Sequence, residues 1–384
     1  MKKKNAPGEP LSGYDDYDEF LTDEELEAYL AQEEYDEYGE PFPAVAWQSE
    51  PVSFAPGGRK LLPVWKLAVI DFFCIAAGLL LFALFHHVID LTPKSAPVAL
   101  PIATPAPTPT PAPVVESAEP EPEQTEEPRP LTWAEKFADQ FTDGEIVRSE
   151  SEYRSANIAV SYTLYDRGDK LLYRVADVYV SDLKYLRVGF SMGEYGHSAE
   201  FVGEFIRRYQ PIVALSGDYY LGRREGIVVR DGVLYRDVPD TADLCVLYDD
   251  GTMQCMDASA LSVETVLEGG IRDVWTFGPT LVTGGQVMTS FNTIKNISDH
   301  AHPRSAIGYI EPGHYVFVQV DGRIAKSNGM TLAQLAALMA ELGCTEAYNL
   351  DGGASSAMVW NGERVSYNYD RPLTDMIYVT EDGQ

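Results

Sequence analysis

The stretch YNLDGGASSAMVWNG, residues 348–362, sets an acid, two glycines and two serines between an apolar approach and an apolar exit. Three readings compete for it: a hairpin turn, a nucleophile elbow with a serine at its tip, and a cradle for an anion. The elbow reading takes Gly353-Ala354-Ser355-Ser356-Ala357 as the turn after a strand, but the triad histidine of that fold follows its serine. Here His86, His87, His197, His300, His302 and His314 all precede it. Asp-Gly pairs make hairpin turns, and Asp231-Gly232, Asp250-Gly251 and Asp321-Gly322 suit that use. A hairpin has no need of Gly-Gly followed by Ala-Ser-Ser. Successive small residues instead let backbone N–H groups converge on an anion, with the serine hydroxyls as further donors. An acid at the lip of such a cradle would repel the anion unless it acts on a neighbouring, uncharged part of the same molecule. A phosphate beside an electrophilic carbon meets both demands.

Outward from this stretch the 384-residue chain divides by composition. Its net charge of −30 excludes nucleic acid as a partner, since binding there needs a basic footprint. Much of the acidity lies in the first fifty residues, where three lysines face five Asp and ten Glu. Residues 1–60 are expected to be an acidic, disordered cytoplasmic tail. The capping-box pattern Thr22-Asp23-Glu24-Glu25, leading into Leu26, Tyr29 and Leu30, marks one short helix there, a weak candidate for a cytoplasmic partner. Residues 64–90 read as one transmembrane helix in contact with the lipid bilayer, their apolar centre running from Leu67 to Phe85. Arg59, Lys60 and Lys66 before the span, against Lys94 after it, place the N-terminus in the cytoplasm and the C-terminal part outside the cell. Residues 91–130, with PIATPAPTPTPAP and an acidic Pro-Glu run, are expected to form an extended linker holding the rest several nanometres from the membrane.

Residues 131–384 have globular composition. Trp133, Phe137 and Phe141 recur at helical spacing. Strand-like runs follow, among them IAVSYTLY, LLYRVADVYV, LRVGF, GIVVRDGVLY, DLCVLYDDGTMQCM and HYVFVQVDGR. Two longer helices are expected, from Ala199 to Tyr209 before Pro211, and from Thr331 to Leu342 with Gly343 ending it. Many strands and few helices without a βαβ rhythm predict an α+β fold, a single domain rich in mixed β-sheet. Cys245 and Cys255 fall opposite each other across an Asp249-Asp250-Gly251 hairpin, and a disulfide or two buried thiols both fit. The cysteines have no CxxC spacing, so a structural zinc site is not expected.

Two further segments carry candidate chemistry. His300-Ala301-His302-Pro303-Arg304 offers a His-x-His pair for a divalent metal and an arginine suited to clamping phosphate, although a loop of solvated histidines fits as well. Ser216-Gly217-Asp218-Tyr219-Tyr220 follows the apolar run PIVAL and puts an acid beside two aromatic rings, which suits a sugar platform or an ordinary aromatic core.

Taken in order, Ser216-Gly217-Asp218-Tyr219, Phe277-Gly278-Pro279-Thr280-Leu281, His302 to Gly308, Asp321-Gly322-Arg323, Gly329-Met330-Thr331-Leu332 and Asn349 to Ser356 resemble the phosphodiester glycosidase family over most of residues 155–380. Ser216 stands where that family usually has Asn, and Ala354 where it often has a third Gly. The resemblance implies hydrolysis of a sugar-1-phosphodiester, of N-acetylhexosamine type, at the sugar side. Glycoside hydrolysis ordinarily uses two carboxyl groups, and with a phosphate leaving group cationic donors take over much of the acid's work. Asp351 and Asp218 are the candidate carboxyls at the anomeric carbon, in either order of roles, and Arg304 joins them as the catalytic cation. His302, Gly352, Gly353 and Ser355 are expected to hold the phosphate and Arg323 and Tyr220 to orient the sugar, with Ser356, Tyr219, Ser216 and Asn349 as further substrate-binding residues.

The expected function is thus a membrane-anchored, extracytoplasmic phosphodiester glycosidase acting on a phosphorylated glycan of the cell envelope or an exopolysaccharide. It requires no cofactor, and no clear motif supports a divalent cation. The alternatives are a non-catalytic, stalked module that binds phosphorylated surface glycan, and a metal-dependent hydrolase using His300 and His302 with Asp218.

Overall fold

The computed structural model describes residues 97–101 and 129–381, except Pro239 and Ile294. The expected acidic tail, 1–60, and the expected span, 64–90, lie outside the described residues. Among those described, no helix is long and apolar enough to cross a membrane.

Strands dominate and gather into three sheets. The largest has nine strands in the order β14 (Gln286–Val287), β13 (Thr280–Thr283), β17 (Glu346–Leu350), β15 (Arg304–Glu311), β16 (His314–Val320), β5 (Leu172–Val180), β4 (Ile158–Asp166), β3 (Glu152–Arg154), β2 (Val147–Arg148). A six-stranded sheet runs β1 (Val98–Ala99), β9 (Val233–Val238), β8 (Gly226–Arg230), β12 (Ile271–Trp275), β10 (Leu244–Tyr248), β11 (Met253–Met256). The third runs β19 (Glu363–Arg364), β18 (Met358–Trp360), β7 (Val213–Ser216), β20 (Asp375–Val379), β6 (Leu186–Phe190), five strands in all. The ladders among the described residues are antiparallel, so the sheets are not mixed as expected. Hydrogen-bonded neighbours joined by tight turns such as Asp231-Gly232 run antiparallel, and the helical connections from β16 to β17 and from β6 to β7 each pass over an intervening strand.

Period-two alternation explains how the layers meet. Every residue of β16 is buried because the strand has apolar neighbours on both faces. Tyr315 and Phe317 point into a central core shared by all three sheets, with Leu215, Met358, Ile377, Leu247 and Trp275. Val316, Val318 and Val320 point the other way, under the helix Leu332–Glu341, which supplies Leu332, Leu335, Ala336 and Met339. That helix begins as expected at Thr331, whose hydroxyl accepts from the Gln334 N–H while the Gln334 side chain returns to the Thr331 N–H. The five-stranded sheet is covered by the helix Val202–Tyr209 through Val202 and Phe205. It starts three residues later than expected because Glu200 is engaged in backbone pairing with Leu373. The first helix is only Trp133–Lys136, with Phe137 stacked edge-on against Tyr179 at 5.2 Å rather than continuing the helix. Cys245 and Cys255 are direct cross-strand partners and both are buried free thiols.

One segment expected in the linker belongs to the folded unit. Val98 and Ala99 pair with Leu234 and Val233, the Leu100 N–H donates to the Gly232 carbonyl at 2.7 Å, and the Pro101 carbonyl accepts from Gly270 at 3.2 Å. Leu100 is buried with Val229, Leu234 and Val266. The Val-Ala-Leu triplet at the head of the Pro-rich run is apolar enough to add an edge strand, which composition averaged over the linker conceals.

Candidate active site

Strand ends from all three sheets converge. β7 ends at Ser216 and hands the chain to Gly217-Asp218; β17 ends at Leu350 and hands it to Asp351; β20 begins at Asp375 beside β7, with Met376 opposite Ser216. The Asp351 N–H donates to the Gly217 carbonyl at 2.8 Å. Asp218, Asp351 and Asp375 are therefore brought together as a buried group of acids.

Arg230, at the end of β8 and only 2% exposed, supplies the countercharge. Its Nη2 lies 2.9 Å from Asp218 Oδ2 and 2.9 Å from Asp375 Oδ2. Its Nη1 donates to the carbonyls of Val229 at 2.9 Å and Val274 at 2.5 Å. Asp218 Oδ2 also accepts from the Thr276 N–H at 3.3 Å, whereas Asp218 Oδ1 has no hydrogen-bond partner among the described residues. A buried carboxylate held by one oxygen, with the other unengaged, is suited to contact a substrate atom. Asp273 on β12 is a third acid around Arg230, and burial pushes its carboxyl up to about 6.

Asp351 behaves differently. Burial pushes its carboxyl up to about 7; the neighbouring Ser355 side chain and Arg371 oppose the rise, and the charges of Asp375 and Asp218 add to it. A carboxyl poised near neutrality can deliver or accept a proton there. Burial and the charge of Asp218 likewise push Asp375 upward, against the pull of Arg230.

The loop after Asp351 is built by close packing. A Cβ on Gly352 would come within 2.8 Å of the Pro303 carbonyl, so the second glycine is needed for contact with the His302-Pro303 segment. Positive φ falls on Gly353, at 56°, and not on Ala354, so the alanine carries no left-handed strain. The N–H groups of Asp351, Gly353, Ser355 and Ser356 all donate to protein carbonyls. The expected anion cradle is thus largely occupied by the fold itself. Ser355 is buried beside Asp351, and its side chain opposes the upward push of burial on that carboxyl.

Several expected ligands turn out to be struts. Arg304 donates from Nε to the Met330 carbonyl at 3.0 Å and from Nη2 to the carbonyls of Ile297 at 2.5 Å and His300 at 3.2 Å. Burial, then the nearby Arg323, pulls its guanidinium down to about 10. An arginine so engaged pins the 297–304 loop. Ser216 is fully buried, its hydroxyl donating to the Asp351 carbonyl at 3.0 Å and lying 2.7 Å from the Ser305 hydroxyl, so it anchors Asp351 and faces no sugar. Ser356 donates to the Arg304 carbonyl at 2.7 Å and accepts from Gln319 at 3.2 Å within the interior. Tyr220 is core: it stacks on Tyr195 at 5.0 Å, its hydroxyl accepts from the Gly196 N–H, and burial raises its phenol. Asn349 is buried and donates to the Gly278 carbonyl at 2.8 Å, with its own carbonyl oxygen unpartnered among the described residues.

Others stay at the surface of the loop. Arg323 is exposed, lies against Gly353 and donates to His302 Nδ1 at 3.1 Å, which leaves the His302 proton on Nε2. Tyr219, held at φ 55°, has the guanidinium of exposed Arg371 over its ring at 5.5 Å. Asp375, Arg230 and Arg371 were missed in the sequence. The first two are charges inside apolar strands, DMIYV and GIVVR, and that misfit was the available signal. Among the described residues no group of three or more His, Cys, Asp or Glu is arranged to hold a metal ion.

The three antiparallel sheets thus gather buried carboxyls around a buried arginine, Arg230, at their strand ends. Residues 209–380 match the family model described as phosphodiester glycosidase. An SPbeta prophage-derived protein of Bacillus subtilis strain 168, YomE, is 30% identical over 190 residues, covering 47% of this chain and 30% of its own length. The N-acetylglucosamine-1-phosphodiester alpha-N-acetylglucosaminidase of Bos taurus is 26% identical over 196 residues, covering 49% of this chain and 33% of its own. The chain thus spans about a third of the length of these curated relatives. The catalytic domain of the zebrafish enzyme of the same name superposes with a TM-score of 0.51 at 22% identity, over 62% of this chain and 88% of that one, which shows a shared fold.

Proposed function

We propose that the domain hydrolyses a sugar-1-phosphodiester, an N-acetylhexosamine glycan phosphate of the cell envelope or an exopolysaccharide, by cleaving the bond between the anomeric carbon and the phosphate oxygen. The observation that carries this reading is the unequal pair of acids. Asp351 is poised near neutrality, while Asp218 is held by a buried arginine with Oδ1 unengaged. Such a pair divides the work of a glycosidase. Asp218 stabilises or attacks the anomeric carbon as the bond to phosphate breaks. The bonding electrons leave with the phosphate oxygen, Asp351 supplies its proton, and water adds hydroxide to the sugar and returns the proton. Arg371 and Arg323, with His302, are the cations and donors in place to receive the phosphate, the task the sequence suggested for Arg304. Tyr219 offers the sugar an aromatic face.

The name of the Bos taurus relative supports the substrate class, the strong hydropathy of residues 64–90 supports membrane anchoring, and Arg59, Lys60 and Lys66 before their apolar centre support a domain outside the cell. Seven residues, Leu91 to Pro97, separate the expected span from β1. At about 3.5 Å per residue they reach at most roughly 25 Å.

The full-length protein in detergent, incubated with N-acetylglucosamine-1-phosphate methyl diester, should release free N-acetylglucosamine and methyl phosphate. Saturable binding of the diester without release would instead establish the non-catalytic binding module.

A further inference from the structure

We propose that Asp375 is the positioning residue of this site, holding the Gly217-Asp218 turn and setting how Arg230 divides its charge between the acids. The proposal rests on the reading of Asp218 and Asp351 as the working carboxyls.

The packing at the turn is specific. A Cβ on Gly217 would lie 2.3 Å from Asp375 Oδ1, so the carboxyl fills the space that a side chain would take. Asp375 Oδ1 accepts the Asp218 N–H at 3.0 Å and the Thr374 hydroxyl at 3.1 Å, and the Asp375 carbonyl accepts the Gly217 N–H at 3.0 Å. Oδ2 meets Arg230 Nη2, the same nitrogen that serves Asp218 Oδ2. Any share of that cation taken by Asp375 is withdrawn from Asp218. Both Asp375 carboxyl oxygens are engaged by protein donors, whereas Asp218 Oδ1 is not, so Asp375 acts through its neighbours and not on substrate.

The charged groups around it are Arg230 from β8, Asp218 after β7, Asp273 from β12 and the Tyr220 phenol, with Asp351 and Arg371 across the site. Asp375's negative charge pushes the Asp351 carboxyl up. Neutralising Asp375 therefore lowers the proton affinity of Asp351. It also leaves Arg230 wholly to Asp218, which weakens Asp218 as a base or nucleophile.

The test is Asp375→Asn in the full-length protein, read by carboxyl 13C titration of Asp351 and by the pH dependence of kcat and KM. The Asp351 midpoint should fall by roughly half a unit to one unit. The loss should be roughly tenfold or more in kcat with KM within about twofold, as for an interaction made in the transition state. A folded variant with an unchanged Asp351 midpoint and unchanged kcat overturns the proposal. Should Asp375→Asn not fold, Thr374→Val removes one donor to the carboxyl and should shift the midpoint in the same direction by less; no shift there overturns it equally. The titration needs no turnover. A shifted midpoint in a protein whose wild type releases no sugar sustains the positioning role and retires the glycosidase reading alone.

Discussion

The Asp351 N–H and the Gly217 carbonyl meet at 2.8 Å, so the loop after β17 is tied by its backbone to the turn after β7. The residues on either side of this bond, Asp351 itself and Asp218, are the acids assigned to catalysis. Their relative placement is a property of the main chain and survives changes to either side chain.

That makes Asp351→Asn a clean variant. The amide keeps the shape and the backbone bond but cannot supply a proton. Turnover of the sugar phosphodiester should fall by about 10²–10⁴-fold, with circular dichroism unchanged. A folded Asp351→Asn protein of wild-type activity would remove the acid from the mechanism.

The pH dependence has a definite sign. Asp351 acts as an acid only while protonated, so kcat/KM should decline as pH rises through about 7. Stability should move the same way. Asp351 and Asp273 bind protons more tightly folded than unfolded, so their stabilising contribution is complete below about 4 and is lost as pH rises through about 6 to 7. Urea midpoints should therefore be higher at pH 5 than at pH 8, by on the order of 1–3 kcal/mol in unfolding free energy. Asp351→Asn should flatten that slope.

Much of this was legible beforehand, for reasons of local chemistry. Alternating apolar residues marked β4, β5, β10 and β16, and the Thr331 cap marked its helix, because both signals lie within a few residues. Asp351 and Asp218 stood out as acids at the ends of apolar runs. The roles of Arg304, Ser216, Ser356 and Tyr220 were not legible. Whether such a residue faces a ligand or the protein depends on partners that local pattern does not reveal: Ser216 is fixed by Ser305 and Asp351, 89 and 135 positions away, and Tyr220 by Gly196 and the Phe190-Tyr195 cluster. Asp375 was hidden for the same reason, since only the pairing of β20 with β7 brings it to Asp218. β1 was hidden by the proline-rich composition around it.

Arg304 offers a test of strut against ligand. Its removal leaves the carbonyls of Met330, Ile297 and His300 without their donor and empties the buried space that the guanidinium fills. Arg304→Ala should cost about 3–5 kcal/mol in a urea melt. The fraction that remains folded should keep its KM for the diester. A stable variant with a KM raised tenfold or more would return Arg304 to the phosphate.

Arg371 should show the opposite behaviour. It is exposed, stacked over Tyr219, and its positive charge holds Asp351 below where burial alone would put it. Arg371→Ala should therefore leave the thermal midpoint within a few degrees, because surface substitutions without buried partners change stability little. It should raise KM by roughly tenfold through loss of a phosphate contact. Loss of the cation also lets Asp351 hold its proton to higher pH, so the basic limb of kcat/KM should move alkaline. Asp375→Asn moves the same limb acidward, since it removes a negative neighbour in place of a positive one. Opposite displacements of one limb by removal of a positive and of a negative neighbour would assign that limb to Asp351, and movement of both in one direction would assign it elsewhere.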